Sequence, residues 1–216
     1  MTEGFDAISE PVARRVTSGL SKIGTVLRSR AWKGAGSAGV TPTQAQALEL
    51  LRGRPTSLGG LAARLGVSAA TASNAVGTLV DKGLVAKEPG ANKRSVTLRL
   101  TTAGETMADR ASEWPDFLSG AVETLDSREQ TAMLRSLVKL IRTLQQNGDI
   151  PPQRICVTCR FFQPHVHADS VNPHHCDYLD EPFGDRHLRL DCAEQVDASP
   201  EQQRLAWQRF TSAWTT

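Results

Sequence analysis

All four cysteines and all five histidines of this 216-residue chain fall between residues 156 and 192. The cysteines run Cys156-x2-Cys159-x16-Cys176-x15-Cys192, and among them stand His165, His167, His174, His175 and His187. Two thiolates of a C-x-x-C turn can face one metal ion, and two further cysteines complete a tetrahedral set. Disulfides are disfavoured inside a cell, so metal binding is the default reading of such a cluster. A metal also supplies folding energy to an appendage too small for a core of its own. The spacing therefore predicts a metal site at Cys156, Cys159, Cys176 and Cys192. Structural zinc sites more often pair both halves as C-x-x-C, whereas Cys176 and Cys192 stand alone. Irregular all-cysteine ligation is also how iron–sulfur clusters are held, and Phe161, Phe162, Pro164, Pro182 and Phe183 offer an apolar shell. The expected cofactor tilts to an iron–sulfur cluster, with Zn2+ next. Four buried free cysteines, or a disulfide pair switching with redox state, are the competing readings. Thioredoxin-like chemistry lacks its βαβ surround. The histidines read as surface or shell residues, with His174 or His175 able to hydrogen-bond a thiolate. No paired carboxylates, nucleophile elbow or phosphate loop accompanies the cluster, so no enzyme is expected.

A second constellation lies at residues 57–104. Leu58, Leu61 and Leu65 space themselves as one face of a short helix behind Ser57 as N-cap, and Gly66 suits the turn that follows. Ser68 reads as the next N-cap. Ala72, Ala75, Val76 and Leu79 then form a thin apolar stripe at i, i+3, i+4 and i+7. The opposite face carries short side chains, among them Thr71, Ser73 and Asn74, which would let this helix lie close to base edges in a major groove. Residues 85–88 and 95–100 read as two antiparallel strands, with Val96, Leu98 and Leu100 alternating against polar neighbours. Lys93 and Arg94 stand beside the tip, where paired cations suit a minor groove or its flanking phosphates. Residues 41–102 hold eight Lys/Arg against three Asp/Glu, a net of +5 in a chain whose total is +2. That excess is the footprint expected of a DNA-binding surface. Residues 151–198 carry a net of −4 and should not touch DNA.

Long helices must position this reader. Val12, Val16, Leu20 and Ile23 recur at helical spacing within residues 6–32, together with Ile8 and Val26. GAGSAG at 34–39 reads as a flexible joint, and Thr41 with Pro42 as the start of the next helix. Residues 102–124, bent at Pro115, and 127–147 form two more helices, the latter with an apolar stripe at Met133, Leu137, Leu140, Ile141 and Leu144. Such stripes need a partner surface, which a helical homodimer interface supplies. Ser199 and Pro200 open an amphipathic tail helix. The fold class expected is mainly α with a small β-wing: a winged helix-turn-helix flanked by dimerisation helices, plus a small metal-bound module. The divisions are 1–148 for DNA binding and dimerisation, 149–198 for the Cys/His-rich module and 199–216 for the tail helix. No run of 18 apolar residues and no secretory N-terminus occur, so a cytoplasmic protein without membrane contact is expected.

The segment LAARLGVSAATASNAVGTLVDKGLV at 61–85, the wing NKRSVTLRLT at 92–101, and Ala103 with Gly104 resemble the MarR-type winged-helix regulators. With the flanking helices the resemblance spans roughly residues 10–148. Asn74 stands where many members carry Arg, and Asn92 where an Asp usually braces the wing Arg. The resemblance implies a homodimer on a pseudo-palindromic double-stranded DNA site, usually a repressor, tuned by a small ligand or by oxidation. It also implies DNA contact at Thr71, Ser73, Asn74, Lys82, Lys93 and Arg94. Three functions follow as expectations. The first is a regulator whose four-cysteine metal site senses redox state or metal supply. The second is a small-ligand-responsive regulator with a purely structural zinc. The third, of another class, is a metalloprotein that uses a winged helix for protein contact.

Overall fold

The computed structural model describes residues 10–90, 96–112 and 116–212. Helix α1 (Val12–Ala38) runs unbroken through most of the GAGSAG stretch and stops only at Gly39, whose φ is 67°. The expected joint is therefore helix. Ala35 within it is fully buried, and this packing outweighs the ~1 kcal/mol that each helical glycine costs. Helix α2 (Pro42–Gly53) opens on a reciprocal cap. Gln44 N donates to Thr41 Oγ1 at 3.2 Å, and Thr41 N donates to Gln44 Oε1 at 3.0 Å.

Strand β1 (Thr56–Ser57) leads into α3 (Leu58–Leu65), which Ser57 caps, and Gly66 in the left-handed region (φ 66°) turns the chain toward α4 (Ala69–Asp81). Strands β2 (Val85–Pro89) and β3 (Val96–Leu100) pair antiparallel with Val85 opposite Leu100 and Pro89 opposite Val96. β1 adds to the other edge of β3, Thr56 opposite Leu98. This two-residue strand is too short for alternation to show it. The alternation within β3 holds where the sheet meets the helices: Leu98 and Leu100 are buried, while Val96, nearest the tip, is exposed. Leu48, Leu61, Val76, Leu79, Leu98 and Ala108 form the heart of the first core.

Helices α5 (Thr102–Ser112) and α6 (Asp116–Val122) follow, and the bend assigned to Pro115 lies outside the described residues. Helix α7 (Ser127–Asn147) begins on a second reciprocal cap, in which Asp126 Oδ1 accepts from Arg128 N and Glu129 N at 2.7 and 2.9 Å. Apolar stripes on the long helices stay open within one chain. Val12, Val16, Leu20, Ile23 and Val26 on α1, and Leu140 and Leu144 on α7, are all exposed. Among the described residues no helix is long and apolar enough to cross a membrane.

The C-terminal unit contains two single-turn 3-10 helices (Cys156–Thr158 and Asp185–His187) and three short antiparallel strands, β4 (Phe162–Gln163), β5 (His174–Cys176) and β6 (Glu181–Phe183), in the order β4-β5-β6. Helix α8 (Pro200–Ser212) closes it. Val138 of α7, Ile155, Val157, Phe162, Leu188 and Phe210 of α8 make a second core. The expectation of a metal-bound module is overturned here. Among the described residues no group of three or more His, Cys, Asp or Glu is placed to hold a metal ion. The unit does not lack a core either, since it borrows apolar surface from α7 and from the tail helix.

Candidate nucleic-acid interface

Helix α4 separates a buried apolar face from an exposed polar one. Ala72, Ala75, Val76 and Leu79 are buried against the first core, while Thr71, Ser73 and Asn74 are exposed. Ser68 Oγ accepts from Thr71 N at 3.1 Å and lies 2.8 Å from Thr71 Oγ1, so the Thr71 hydroxyl is held at the helix start. Ala69 and Ala70 beside it are also exposed. The first turn thus offers short side chains and unencumbered approach, which close docking in a groove requires. Lys82 is occupied differently: its ammonium donates to the Gly39 carbonyl at the end of α1. In the wing, Arg99 Nε pairs with Glu88 Oε2 at 3.0 Å across β2 and β3. Lys87 on β2 is exposed. Lys93 and Arg94, with Asn92, lie outside the described residues.

The four cysteines are brought together, but not as the expected site. Cys156, Cys159, Cys176 and Cys192 line the wall of one cavity of about 310 Å³. Ligation of a single zinc needs all four sulfurs about 2.3 Å from one point, and the described residues hold no such group. Zinc, an iron–sulfur cluster, metal or redox sensing through this set, and the metalloprotein alternative are therefore withdrawn. C-x-x-C spacing tells which thiols start near one another. It does not tell how far apart a turn, a strand and a loop will hold the other sulfurs.

Sequence reading missed the polar network behind this cavity. Arg135 of α7 pairs with Asp185 Oδ2 at 2.6 Å and donates to the Phe210 carbonyl at 2.6 Å. His174, fully buried, sits 2.8 Å from Asp185 Oδ1 through Nε2 and accepts from His165 N through Nδ1 at 3.2 Å. Burial opposes the charge of Asp185, but hydrogen bonds from His174 and Arg135 and the Arg135 charge more than offset it and hold its carboxyl below the usual range. Burial, then the neighbouring His174 and Arg135, push the His165 imidazole below its ordinary value. Its Nε2 is buried with no hydrogen-bond partner. No periodicity exposes such a network, because Arg135 and Asp185 are 50 residues apart.

A pH dependence follows. For His165 the folded form is the poorer base, so below an ordinary histidine pKa of about 6.5 the unfolded chain gains protons that the folded chain refuses. Stability of the C-terminal unit should fall as pH drops below that value. Asp185 adds a second loss in the same direction, beginning only near the ordinary carboxylate range. Urea midpoints measured at pH 7 and pH 5 should show the first decline, and His165→Asn should flatten it. Asn suits the position because His165 has φ 52°. An unchanged slope in that variant would assign the decline elsewhere.

The C-terminal unit touches the helix-turn-helix segment at two places. Arg54, just after α2, pairs with Glu194 at 3.3 Å, and Gly66 in the helix-turn-helix turn faces Pro151. Arg154 grips Asp191 with two hydrogen bonds of 2.6 and 2.8 Å.

Comparison with known proteins fits this geometry. Residues 38–95 match the MarR family. The MepR–DNA complex of Staphylococcus aureus is 21% identical, with 60% of this chain and 97% of that chain covered and a TM-score of 0.51. A MepR mutant from a multidrug-resistant S. aureus clinical isolate gives 21% identity, 60% and 96% coverage and a TM-score of 0.51. No curated protein matches the chain. Residues 38–95 thus carry the match to the MarR family, and the winged helix-turn-helix built around them is the fold of the MepR structures.

Proposed function

We propose that this chain is a DNA-binding transcriptional regulator that acts as a homodimer, without catalysis of its own, and answers to a small ligand. The exposed, short-side-chain first turn of α4, opposite a buried apolar stripe, carries this reading. The family match over residues 38–95 supports it, as does the likeness to MepR, a protein crystallised on DNA. Thr71, Ser73 and Asn74 would meet base edges, and Lys93 and Arg94 the wing-side groove or phosphates. Lys82 would reach a phosphate only by leaving the Gly39 carbonyl. The exposed stripes of α1 and α7 would bury against a second copy, so that two readers meet the halves of a pseudo-palindromic operator and repress by occupying it.

The test is selection of genomic fragments by the purified protein, followed by titration with a Ser73→Glu, Asn74→Glu double variant. A base contact is worth roughly 1–3 kcal/mol, and two added carboxylates face phosphates besides. Affinity should fall roughly 100-fold or more with melting unchanged, because both side chains are exposed. Retention of no fragment at low salt, or equal binding by the variant, would sink the reading.

A further inference from the structure

The cavity in the C-terminal unit has a chemistry that DNA binding does not use. Phe161, Tyr178 and Phe183 line it together with the four thiols. Its volume, about 310 Å³, lies at the small end of the ~300–1,000 Å³ typical of ligand pockets, which suits a compound of one ring.

The thiols are not equivalent. Cys156 is pushed up to about 11, mainly by burial, so it stays protonated at neutral pH. Cys192 has a cation against it: Arg189 Nη1 donates to its Sγ at 3.6 Å. Cations beside sulfur are the surroundings in which cysteines act as nucleophiles. The segment around Cys192 is also the one that reaches the reader. Asp191 is gripped by Arg154, Cys192 N donates to the Arg154 carbonyl at 2.9 Å, and Glu194 pairs with Arg54 at the end of α2.

We propose that this cavity is the effector site, that it takes a small apolar α,β-unsaturated carbonyl compound, and that Cys192 Sγ adds to the β-carbon of that compound. The step is redox-neutral. A sulfur–carbon bond forms, the carbon–carbon π bond opens, and the resulting enolate takes from water, at its α-carbon, the proton the thiol gave up. Arg189 positions the sulfur during the addition. The adduct fills the cavity and displaces segment 189–195, which loosens the Glu194–Arg54 tie and the seat of Pro151 on Gly66 in the helix-turn-helix turn. This inference rests on the chain being a DNA-binding regulator.

The experiment treats the whole 216-residue chain, reduced and then freed of reductant without oxygen, with one equivalent of N-ethylmaleimide. Intact mass and peptide mapping follow the adduct, and binding to the selected DNA fragment is titrated before and after. One adduct per chain on Cys192, formed at least ten-fold faster than on any other cysteine and weakening DNA binding at least ten-fold, is the expected result. Arg189→Gln, which keeps the thiol, should slow labelling about ten-fold, and Cys192→Ala should leave DNA binding insensitive to the reagent. Label spread over several cysteines overturns the proposal, as does an adduct without effect on DNA affinity. Stoichiometric iron or zinc in the untreated protein also overturns it. Mapping needs no DNA, so a selective adduct on a protein that binds no fragment upholds the thiol chemistry and sinks the regulator reading alone.

Discussion

Replacing Arg135 by alanine is expected to unfasten the C-terminal unit from α7 at a cost of about 3–5 kcal/mol, the range for removing one partner of a buried ion pair. The side chain is 4% exposed and joins three things at once. It neutralises Asp185 at 2.6 Å, it donates to the Phe210 carbonyl at 2.6 Å, and its guanidinium lies 4.2 Å from the centre of the Phe210 ring. Truncation strands the Asp185 carboxylate in a largely buried place with His174 as its remaining partner. It also strips one face of Phe210, a fully buried side chain of the second core. Trp207, whose ring is covered by the Arg142 guanidinium at 4.1 Å, is a local fluorescence probe for the loss once Trp32, Trp114 and Trp214 are replaced by phenylalanine. Denaturant unfolding read there should move to a lower midpoint, while the helical signal of the reader moves less. A double variant, Arg135→Met with Asp185→Asn, removes both charges and keeps volume, so it should recover much of the loss. A shift within about 1 kcal/mol for Arg135→Ala, the value of an exposed pair, would show that the anchor lies elsewhere.

Gly104→Ala should be nearly as damaging, and in the other half of the molecule. Gly104 lies in the first turn of α5 against the start of β2. A methyl group there would sit far inside the contact distance of the Leu84 carbonyl oxygen and 3.3 Å from Leu100 Cδ2. The oxygen cannot swing aside as a flexible side chain would. It belongs to the backbone and accepts from Thr101 N at 3.1 Å, a bond that fastens the end of the wing to its beginning. The expected cost is about 3 kcal/mol, the upper end for overpacking, seen as a lower melting temperature together with weaker DNA binding. Gly36→Ala is the contrasting case. Nothing lies within 4 Å of the added methyl, and that helical site should gain about 0.5–1 kcal/mol. Equal effects at the two positions would mean that Gly104 is not a packing constraint.

The reader was legible because its determinants are local. Ser57, Thr41 and Ser68 satisfy helix-start amides three residues away, and Gly66 takes a left-handed turn at a helix end. The stripe Ala72–Ala75–Val76–Leu79 and the alternation at Leu98 and Leu100 need only the period of the element. Where a distant surface decides, the local signal misled. GAGSAG looks like a joint until Ala35 is buried in the core, and a two-residue β1 exists only because β3 offers its edge.

The C-terminal unit shows the same division more sharply. Spacing marked its cysteines as one group, and all four do face one cavity. The distance across that cavity is set by the 3-10 turn at Cys156, by β5 at Cys176 and by the loop at Cys192, each held by contacts far away in the chain. Short-range sequence chemistry thus settled the helix-turn-helix caps, its turn and which face of α4 is exposed, because those depend on neighbours within about one helical turn. Tertiary packing alone decided that the cysteines line a cavity rather than hold an ion, that Arg135 finds Asp185 and Phe210, and that the unit rests against Arg54 and Gly66. Those outcomes come from surfaces meeting across 33 to 140 residues of chain, for which no local pattern carries a signal.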